Sequence, residues 1–128
     1  MTEFYYKDLC DKIIGICFDV FNEFDYGYRE NFYEKVLYDK LIENNISVSN
    51  QFPVRIRVND RYFVIRRVDF FIENIMFVEL KVGRKLSKRH FEQANEYLHV
   101  LNLRLALLIL FSPKGVVIRR VVNDPEYK

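Results

Sequence analysis

The sequence predicts an α/β fold in which helices flank a mixed β-sheet. Up to about residue 45, apolar residues recur with the 3.6-residue period of amphipathic helices. Between residues 54 and 82 the period changes to the alternation of β-strands, and residues 87–102 return to helical spacing before a strongly apolar strand. This order of helices and strands is typical of a sheet with helices packed on it.

Two helices open the chain. The first is expected to run from Thr2, whose hydroxyl can cap its start, to about Phe24. Gly27 interrupts the apolar pattern, and a second helix is predicted from there to about Asn45.

Three strands then form a meander, which the turn-prone pairs Asn59-Asp60 and Glu73-Asn74 divide. These strands cover residues 54–58, 61–72 and 74–82. The next helix acts as a crossover into a fully buried strand at residues 104–111, and a last strand covers residues 116–122.

Length and composition fit one compact domain over residues 1–128, half of which are hydrophobic. The longest apolar run, Leu105 to Phe111, is far shorter than the roughly 20 residues of a membrane span, and the N-terminus lacks a signal pattern. Cys10 and Cys17 lie too far apart on the first helix for a disulfide, so buried thiols are expected. We therefore expect a soluble cytoplasmic protein with no membrane partner.

The charge of the chain is unevenly distributed. Residues 1–44 carry ten acids and five bases, a net charge of −5, and residues 45–128 carry eight acids and fifteen bases, a net charge of +7. Two basic clusters account for most of the excess, at residues 55–67 and 81–89. Such clusters attract polyanions, although a solvated surface is the ordinary explanation for charge runs alone.

In the stretch VDFFIENIMFVELKV, residues 68–82, three charged residues lie inside the two apolar arms of a predicted hairpin, namely Asp69, Glu79 and Lys81. Alternation puts Glu79 and Lys81 on one face of their strand, together with Ile75 and Phe77. If the hairpin turns near Asn74, Asp69 comes level with Glu79, whereas a one-residue register shift would send it to the opposite face.

Two converging carboxylates repel each other unless a cation lies between them. Mg²⁺ prefers oxygen ligands and typically binds one or two carboxylates together with substrate phosphates, which is the chemistry of metal-assisted phosphodiester cleavage. Lys81 beside it could activate water or neutralise developing charge. The structural alternative is an ion pair between Glu79 and Lys81, with Asp69 bonded to the turn.

Helical residues offer further candidates. Gln93 and Tyr97 share a helix face. The Gln93 amide could reach the carboxylates and a substrate phosphate, or it could satisfy a core carbonyl. His90, one turn before Gln93, could contact phosphate or be a partly buried helix residue. Glu30 at the start of the second helix could support that start or add a carboxylate to the site.

Together these residues resemble the PD-(D/E)XK nuclease superfamily, since Asp69 is followed by a spacer of nine residues and then Glu79 and Lys81. The stretch from Gln93 to Tyr97 resembles the Q-x-x-x-Y motif of the RecB-type branch. The segment GYRENFY, residues 27–33, matches the signature of the GxxExxY proteins of that superfamily, and the likeness covers residues 5 to 122.

The resemblance implies a restriction-endonuclease-like core, dependence on Mg²⁺ with Mn²⁺ as a substitute, and hydrolysis of nucleic acid. It implies metal ligation by Asp69, Glu79 and the carbonyl of Leu80, and a catalytic role for Lys81. The remaining implied site residues are a helix carboxylate and two side chains that support the site and substrate, namely Glu30, Gln93 and Tyr97.

The first functional hypothesis is accordingly a Mg²⁺-dependent nuclease acting on DNA, with phosphates held by basic side chains. Those side chains are Arg66, Arg67, Arg84, Lys85, Lys88, Arg89 and His90. A homodimer is compatible with it, because cutting two strands takes two sites. The alternatives are a catalytically inactive module that binds nucleic acid or a protein, and a purely structural α/β domain.

Overall fold

The structure, a computed structural model, describes residues 5–124 as a five-stranded sheet with three helices. The elements are α1 (Lys7–Phe24), α2 (Glu30–Glu43), β1 (Val48–Val58), β2 (Arg61–Ile72), β3 (Met76–Val82), α3 (Lys88–Leu101), β4 (Leu105–Ser112) and β5 (Gly115–Val122). The predicted α/β class is confirmed.

The strands lie in the sheet in chain order, from β1 to β5. Only the β3–β4 pair is parallel among the four described pairings, and α3 is the crossover that joins these two strands. The meander followed by a crossover strand is therefore as predicted. The side chain of Ser87 caps α3 by accepting a hydrogen bond from the backbone N–H of His90.

The sheet separates two apolar clusters. The larger cluster includes Met76, Val78 and Leu80 of β3 and packs against α1 and α2, whereas Phe77 belongs to the cluster under α3. The predicted alternation along β3 is thus correct from Met76 onward. Ile75 is an exception: it lies in the turn before β3 and packs with the larger cluster rather than beside Phe77, because alternation begins only where the strand does.

The first helix begins at Lys7, not at Thr2, which lies outside the described residues. Residues 5 and 6 form a turn, and Tyr6 at the N-cap adopts a left-handed conformation with φ of 53°. The apolar pattern continues through this turn, so periodicity alone placed the helix start too early. Both cysteines are buried and free, as predicted, and burial raises the pKa of Cys17 to about 12.

None of the helices in residues 5–124 is both long enough and apolar enough to cross a membrane. α1, the longest, has 18 residues and buries one side against the sheet while the other faces solvent.

The β1–β2 hairpin extends well beyond the rest of the sheet. β1 and β2 pair from Val48 and Ile72 to Val58 and Arg61, with an interruption at Gln51 and a bulge between Val54 and Arg55. In contrast, β2 pairs with β3 only through residues 70–72. Residues 55–66 therefore continue past the sheet as a two-stranded ribbon, here called the arm. Because β2 separates from β3 after Val78, the edge of β3 beyond that residue faces a cleft instead of a neighbouring strand.

Candidate active site

The site begins where β2 leaves β3. The regular ladder ends at the pair Phe70 and Val78, and the next two residues, Asp69 and Glu79, interact through side chains. The backbone N–H of Asp69 donates to Glu79 Oε1 at 3.3 Å, and the backbone N–H of Leu80 donates to Asp69 Oδ2 at 2.7 Å. The hairpin thus has the predicted register, and the Asp69 carboxylate takes the place of a strand partner for Leu80.

A cleft of about 360 Å³ opens beside this pair. Its lining residues come from β1, β2, β3 and α3, and they are Gln51, Arg66, Arg67, Asp69, Glu79, Lys81, Gln93 and Tyr97. The Lys81 ammonium lies 3.9 Å from Glu79 Oε2, and Arg66 Nε donates to the Tyr97 hydroxyl at 3.3 Å. The structure therefore brings together predicted site residues from three separate elements.

Two carboxylates of α2 approach Asp69 from the other side. Carboxylate oxygens of Glu30, Glu34 and Asp69 all lie within 4.8 Å of one another. Glu34 was absent from the sequence-based predictions, although it lies one turn after Glu30 and so shares its helix face. That spacing was the available signal for Glu34, but it identifies Glu34 as a site residue only when the packing of α2 near Asp69 is known.

The loop before α2 explains how Glu30 reaches this position. Gly27 has φ of 136°, a conformation that side chains with Cβ rarely adopt. The fully buried Tyr33 closes the loop: its hydroxyl donates to the carbonyl of Asp25 at 2.5 Å and accepts from the N–H of Tyr28 at 3.2 Å. Tyr33 therefore acts as a positioning residue, and Glu30 becomes the first residue of the helix.

Tyr33→Phe is expected to lower the free energy of unfolding by about 1–3 kcal/mol, because it removes two hydrogen bonds, one to the Asp25 carbonyl and one from the Tyr28 N–H. Urea unfolding measures this change, with Tyr62→Phe on the exposed arm as the matched control. Equal stability of the two variants would show that the hydroxyl does not hold the loop.

Gln51 joins the site without any sequence signal. It adopts a left-handed conformation within β1, with φ of 52°, and its amide nitrogen lies 3.3 Å from Glu34 Oε1 and 3.4 Å from Asp69 Oδ1. A second cavity, of about 490 Å³ between α2 and the β1–β2 pair, meets the first cleft at Gln51 and Asp69. Gln51 therefore bridges the carboxylates of the helix and the sheet.

The family model of the PD-(D/E)XK nuclease superfamily matches residues 7–121. The chain belongs to this superfamily. A solved structure titled "Crystal structure of SSO0001" is similar in fold, with a TM-score of 0.57 and 19% identity over 73% of this chain and 50% of that chain. This chain thus spans about half the length of that protein. No curated protein matches the chain.

Two glutamates of this PD-(D/E)XK site, Glu79 and Glu34, have pKa values far above the usual range of carboxyl groups. Burial, followed by the charge of Asp69, raises the pKa of Glu79 to about 9, although Lys81 opposes the shift. Burial and the neighbouring Asp69 raise the pKa of Glu34 to about 8, and burial likewise raises the pKa of Glu30. A bound cation would replace these protons.

Glu79→Gln is expected to flatten the pH dependence of stability. The folded protein keeps the Glu79 proton up to about pH 9, whereas the unfolded chain loses it near 4.5. The contribution of Glu79 to stability is therefore complete below pH 4.5 and is lost as pH rises through 9, with a slope of up to ~1.4 kcal/mol per pH unit.

Chemical unfolding in EDTA between pH 5 and 9 measures this slope. Glu79→Gln should gain stability relative to the wild type as pH rises, because glutamine cannot titrate. The exposed Glu43 of α2 provides the matched control, Glu43→Gln, which should retain the wild-type slope. A wild-type slope in Glu79→Gln as well would assign the titration to other groups.

The predicted phosphate-binding residues divide into two groups. Arg66 and Arg67 line the cleft. A second group is exposed on the loop after β3 and the first turn of α3, outside the cleft lining: Arg84, Lys85, Lys88 and Arg89. His90 lies beside them but uses Nδ1 to accept the N–H of Ser87, and burial followed by the charge of Lys81 lowers its pKa. His90 therefore has an evident role in capping α3.

The donor set fits a hard divalent cation. The donor set consists of carboxylate oxygens of α2 and β2, and Glu79 of β3 lines the cleft beside them. Carboxylates are the ligands that Mg²⁺ and Mn²⁺ prefer. The same two causes, burial and the neighbouring Asp69 carboxylate, raise the pKa values of Glu30, Glu34 and Glu79. A metal site at Asp69 is thus compatible with the chemistry of the residues present.

Proposed function

We propose that this chain is a Mg²⁺-dependent nuclease that hydrolyses phosphodiester bonds, with DNA as its substrate and Mn²⁺ as a substitute metal. The observation that carries the proposal is the convergence of Asp69, Glu79 and Lys81 at one cleft, with two carboxylates of α2 within 4.8 Å of the Asp69 carboxylate. Membership of the PD-(D/E)XK superfamily supports it independently.

Asp69 and Glu79 are the proposed metal ligands, with Glu30 and Glu34 completing the carboxylate set. The carbonyl of Leu80 is a further proposed ligand. The N–H of Leu80 is directed at Asp69, and in a β-strand the C=O of a residue points to the same edge as its N–H, which here is the edge facing the cleft. The chemistry that Mg²⁺ supplies in such a site is polarisation of the phosphodiester group.

Lys81 is the proposed catalytic cation. Its ammonium group shares the cleft with Asp69 and Glu79, where it can hold a water molecule for attack or offset charge that develops on the phosphate. Gln93 and Tyr97 are proposed to support the site and contact the substrate from α3. Arg66, which donates a hydrogen bond to the Tyr97 hydroxyl, is proposed to bind a phosphate.

Finer assignments belong to the same proposal. The structural unit formed by Gly27, Glu30 and Tyr33 supports placement among the GxxExxY proteins, and the cleft position of Gln93 and Tyr97 supports the RecB-type branch. We further propose that residues 1–128 form one nuclease domain, that the protein acts in the cytoplasm, and that two copies cooperate when both strands are cut.

Incubation of the purified protein with labelled single-stranded, duplex and branched DNA, and with RNA, tests the proposal. Cleavage is expected with Mg²⁺ or Mn²⁺ and not with EDTA, and Glu79→Gln should not cut. If the wild type binds these substrates with either metal but leaves them all intact, the protein is a binding module rather than a nuclease.

A further inference from the structure

The arm, residues 55–66, is a surface that the proposed active site does not explain. All twelve residues are exposed, and the four-residue β1 portion alone extends about 13 Å past the bulge. Apolar side chains are unusually frequent on it: Ile56, Val58, Tyr62, Phe63, Val64 and Ile65. Contiguous exposed apolar groups on a protruding element mark an interaction surface.

The arm is also strongly basic. Four arginines and a single acid, Asp60, give it a net charge of +3. Two arginines lie over aromatic rings, with the Arg57 guanidinium 5.9 Å from the centre of the Tyr62 ring and that of Arg61 5.3 Å from the Phe63 ring. Arginine beside an exposed ring offers a cation for phosphate and a flat face for a base.

The rings of Tyr62 and Phe63 lie on opposite faces of the arm. In the register of the hairpin, Tyr62 lies opposite Arg57 and Phe63 lies opposite Ile56, so neighbouring rings project to opposite sides. Tyr62 is 65% exposed and Phe63 is 44% exposed. Bases stacked in a duplex have no free faces to offer such rings, whereas unpaired bases do.

The arm is continuous with the cleft. Arg66 at its base and the adjacent Arg67 line the cleft together with Asp69. A nucleic-acid strand that leaves the cleft on this side meets the arginines of the arm next. Two arms of the same charge would repel each other, which favours a polyanion over the arm of a second copy as the occupant.

We propose that the arm binds a single-stranded segment of nucleic acid next to the cleft, with Tyr62 and Phe63 stacking on unpaired bases and the arginines contacting phosphates. The proposal deepens the proposed nuclease function, since it defines the substrate class as one that contains unpaired nucleotides beside the point of cleavage.

Fluorescence anisotropy in EDTA, where no cleavage occurs, tests the arm. The probes are a labelled oligothymidylate of about 20 nucleotides and a blunt duplex of the same length. Joint replacement Tyr62→Ala and Phe63→Ala should weaken binding of the single strand by about 30-fold or more and binding of the duplex by less than about threefold. Phe18→Ala on α1, where the ring is 41% exposed, is the matched control and should leave both affinities unchanged.

The arginines give a second, independent readout. Replacing Arg57 and Arg61 by glutamine should lower the salt dependence of single-strand binding by about 1.4 in log–log slope, the value for two phosphate contacts. Wild-type single-strand affinity in the ring variant, or equal loss on both probes, would overturn the proposal. Light scattering that shows the ring variant to be monomeric and the wild type dimeric would also overturn it, in favour of an interface between copies.

The proposal for the arm and the proposed nuclease function can be refuted separately. A wild type that binds the single strand through Tyr62 and Phe63 but cuts nothing would refute the nuclease function and uphold the arm. A protein that cuts DNA while the ring variant binds as tightly as the wild type would uphold the nuclease function and refute the arm.

Discussion

Asp69→Asn should abolish binding of Mn²⁺ and lower DNA cleavage by about 10³-fold or more. Asp69 lies at the centre of the site, because its carboxylate is close to Glu34 and Glu30 on one side and its backbone N–H donates to Glu79 on the other. Asparagine retains the size of the side chain and an oxygen that can accept the Leu80 N–H, but it removes the charge. The fold should therefore persist while metal affinity is lost.

Calorimetric titration with Mn²⁺ and cleavage of labelled DNA measure the two effects of Asp69→Asn. Asp19→Asn removes an exposed acid of α1 and is the matched control, which should bind Mn²⁺ and cut DNA as the wild type does. Retained Mn²⁺ affinity in Asp69→Asn would exclude this carboxylate as a ligand and would move the metal site elsewhere in the cleft.

Lys81→Met should lower cleavage by about 10²- to 10⁴-fold and leave Mn²⁺ binding intact. Methionine has nearly the length of lysine and suits the partly buried stem, but it cannot orient water or offset negative charge on the phosphate. Loss of the cation beside Glu79 does not remove any proposed metal ligand. Activity and metal affinity should consequently separate, in contrast to their joint loss in Asp69→Asn.

The readouts for Lys81→Met are single-turnover cleavage at saturating Mn²⁺ and a Mn²⁺ titration at the same pH. Lys114→Met, at the exposed turn between β4 and β5, controls for the loss of one positive charge. Cleavage by Lys81→Met at the wild-type rate would leave Lys81 with a structural role beside Glu79 and no role in catalysis.

The sheet half of the site could be predicted from the sequence for a definite physical reason. Strand side chains alternate with a period of two, and the short turn at Glu73 and Asn74 fixes the register of the hairpin. Those two constraints suffice to place Asp69 beside Glu79 and Lys81. Helical periodicity likewise predicted α3 as the crossover and placed Gln93 and Tyr97 on one helix face, and the structure shows that both line the cleft.

The helix half of the site could not be predicted to the same extent. Glu34 is a site residue only because of how α2 packs across β2, and helical periodicity does not contain that packing. The position of Gln51 in the site depends on a local left-handed conformation that interrupts the pairing of β1 with β2. Glutamine at this position gives no sequence signal for that conformation. Glu34 and Gln51 were therefore missed because their places in the site depend on tertiary packing and on an irregular backbone.

The hydrogen bond between Asp69 and the Leu80 amide has an evolutionary consequence. A buried N–H without a partner costs about 1–3 kcal/mol, so the sheet needs an acceptor at position 69 whether or not catalysis takes place. No such structural requirement is evident for Lys81, whose ammonium lies 3.9 Å from Glu79 Oε2 at the cleft. In relatives that have lost catalysis, we expect the lysine to be replaced first, while an acceptor, aspartate or asparagine, persists at position 69. The lysine is therefore the more informative mark of a working enzyme.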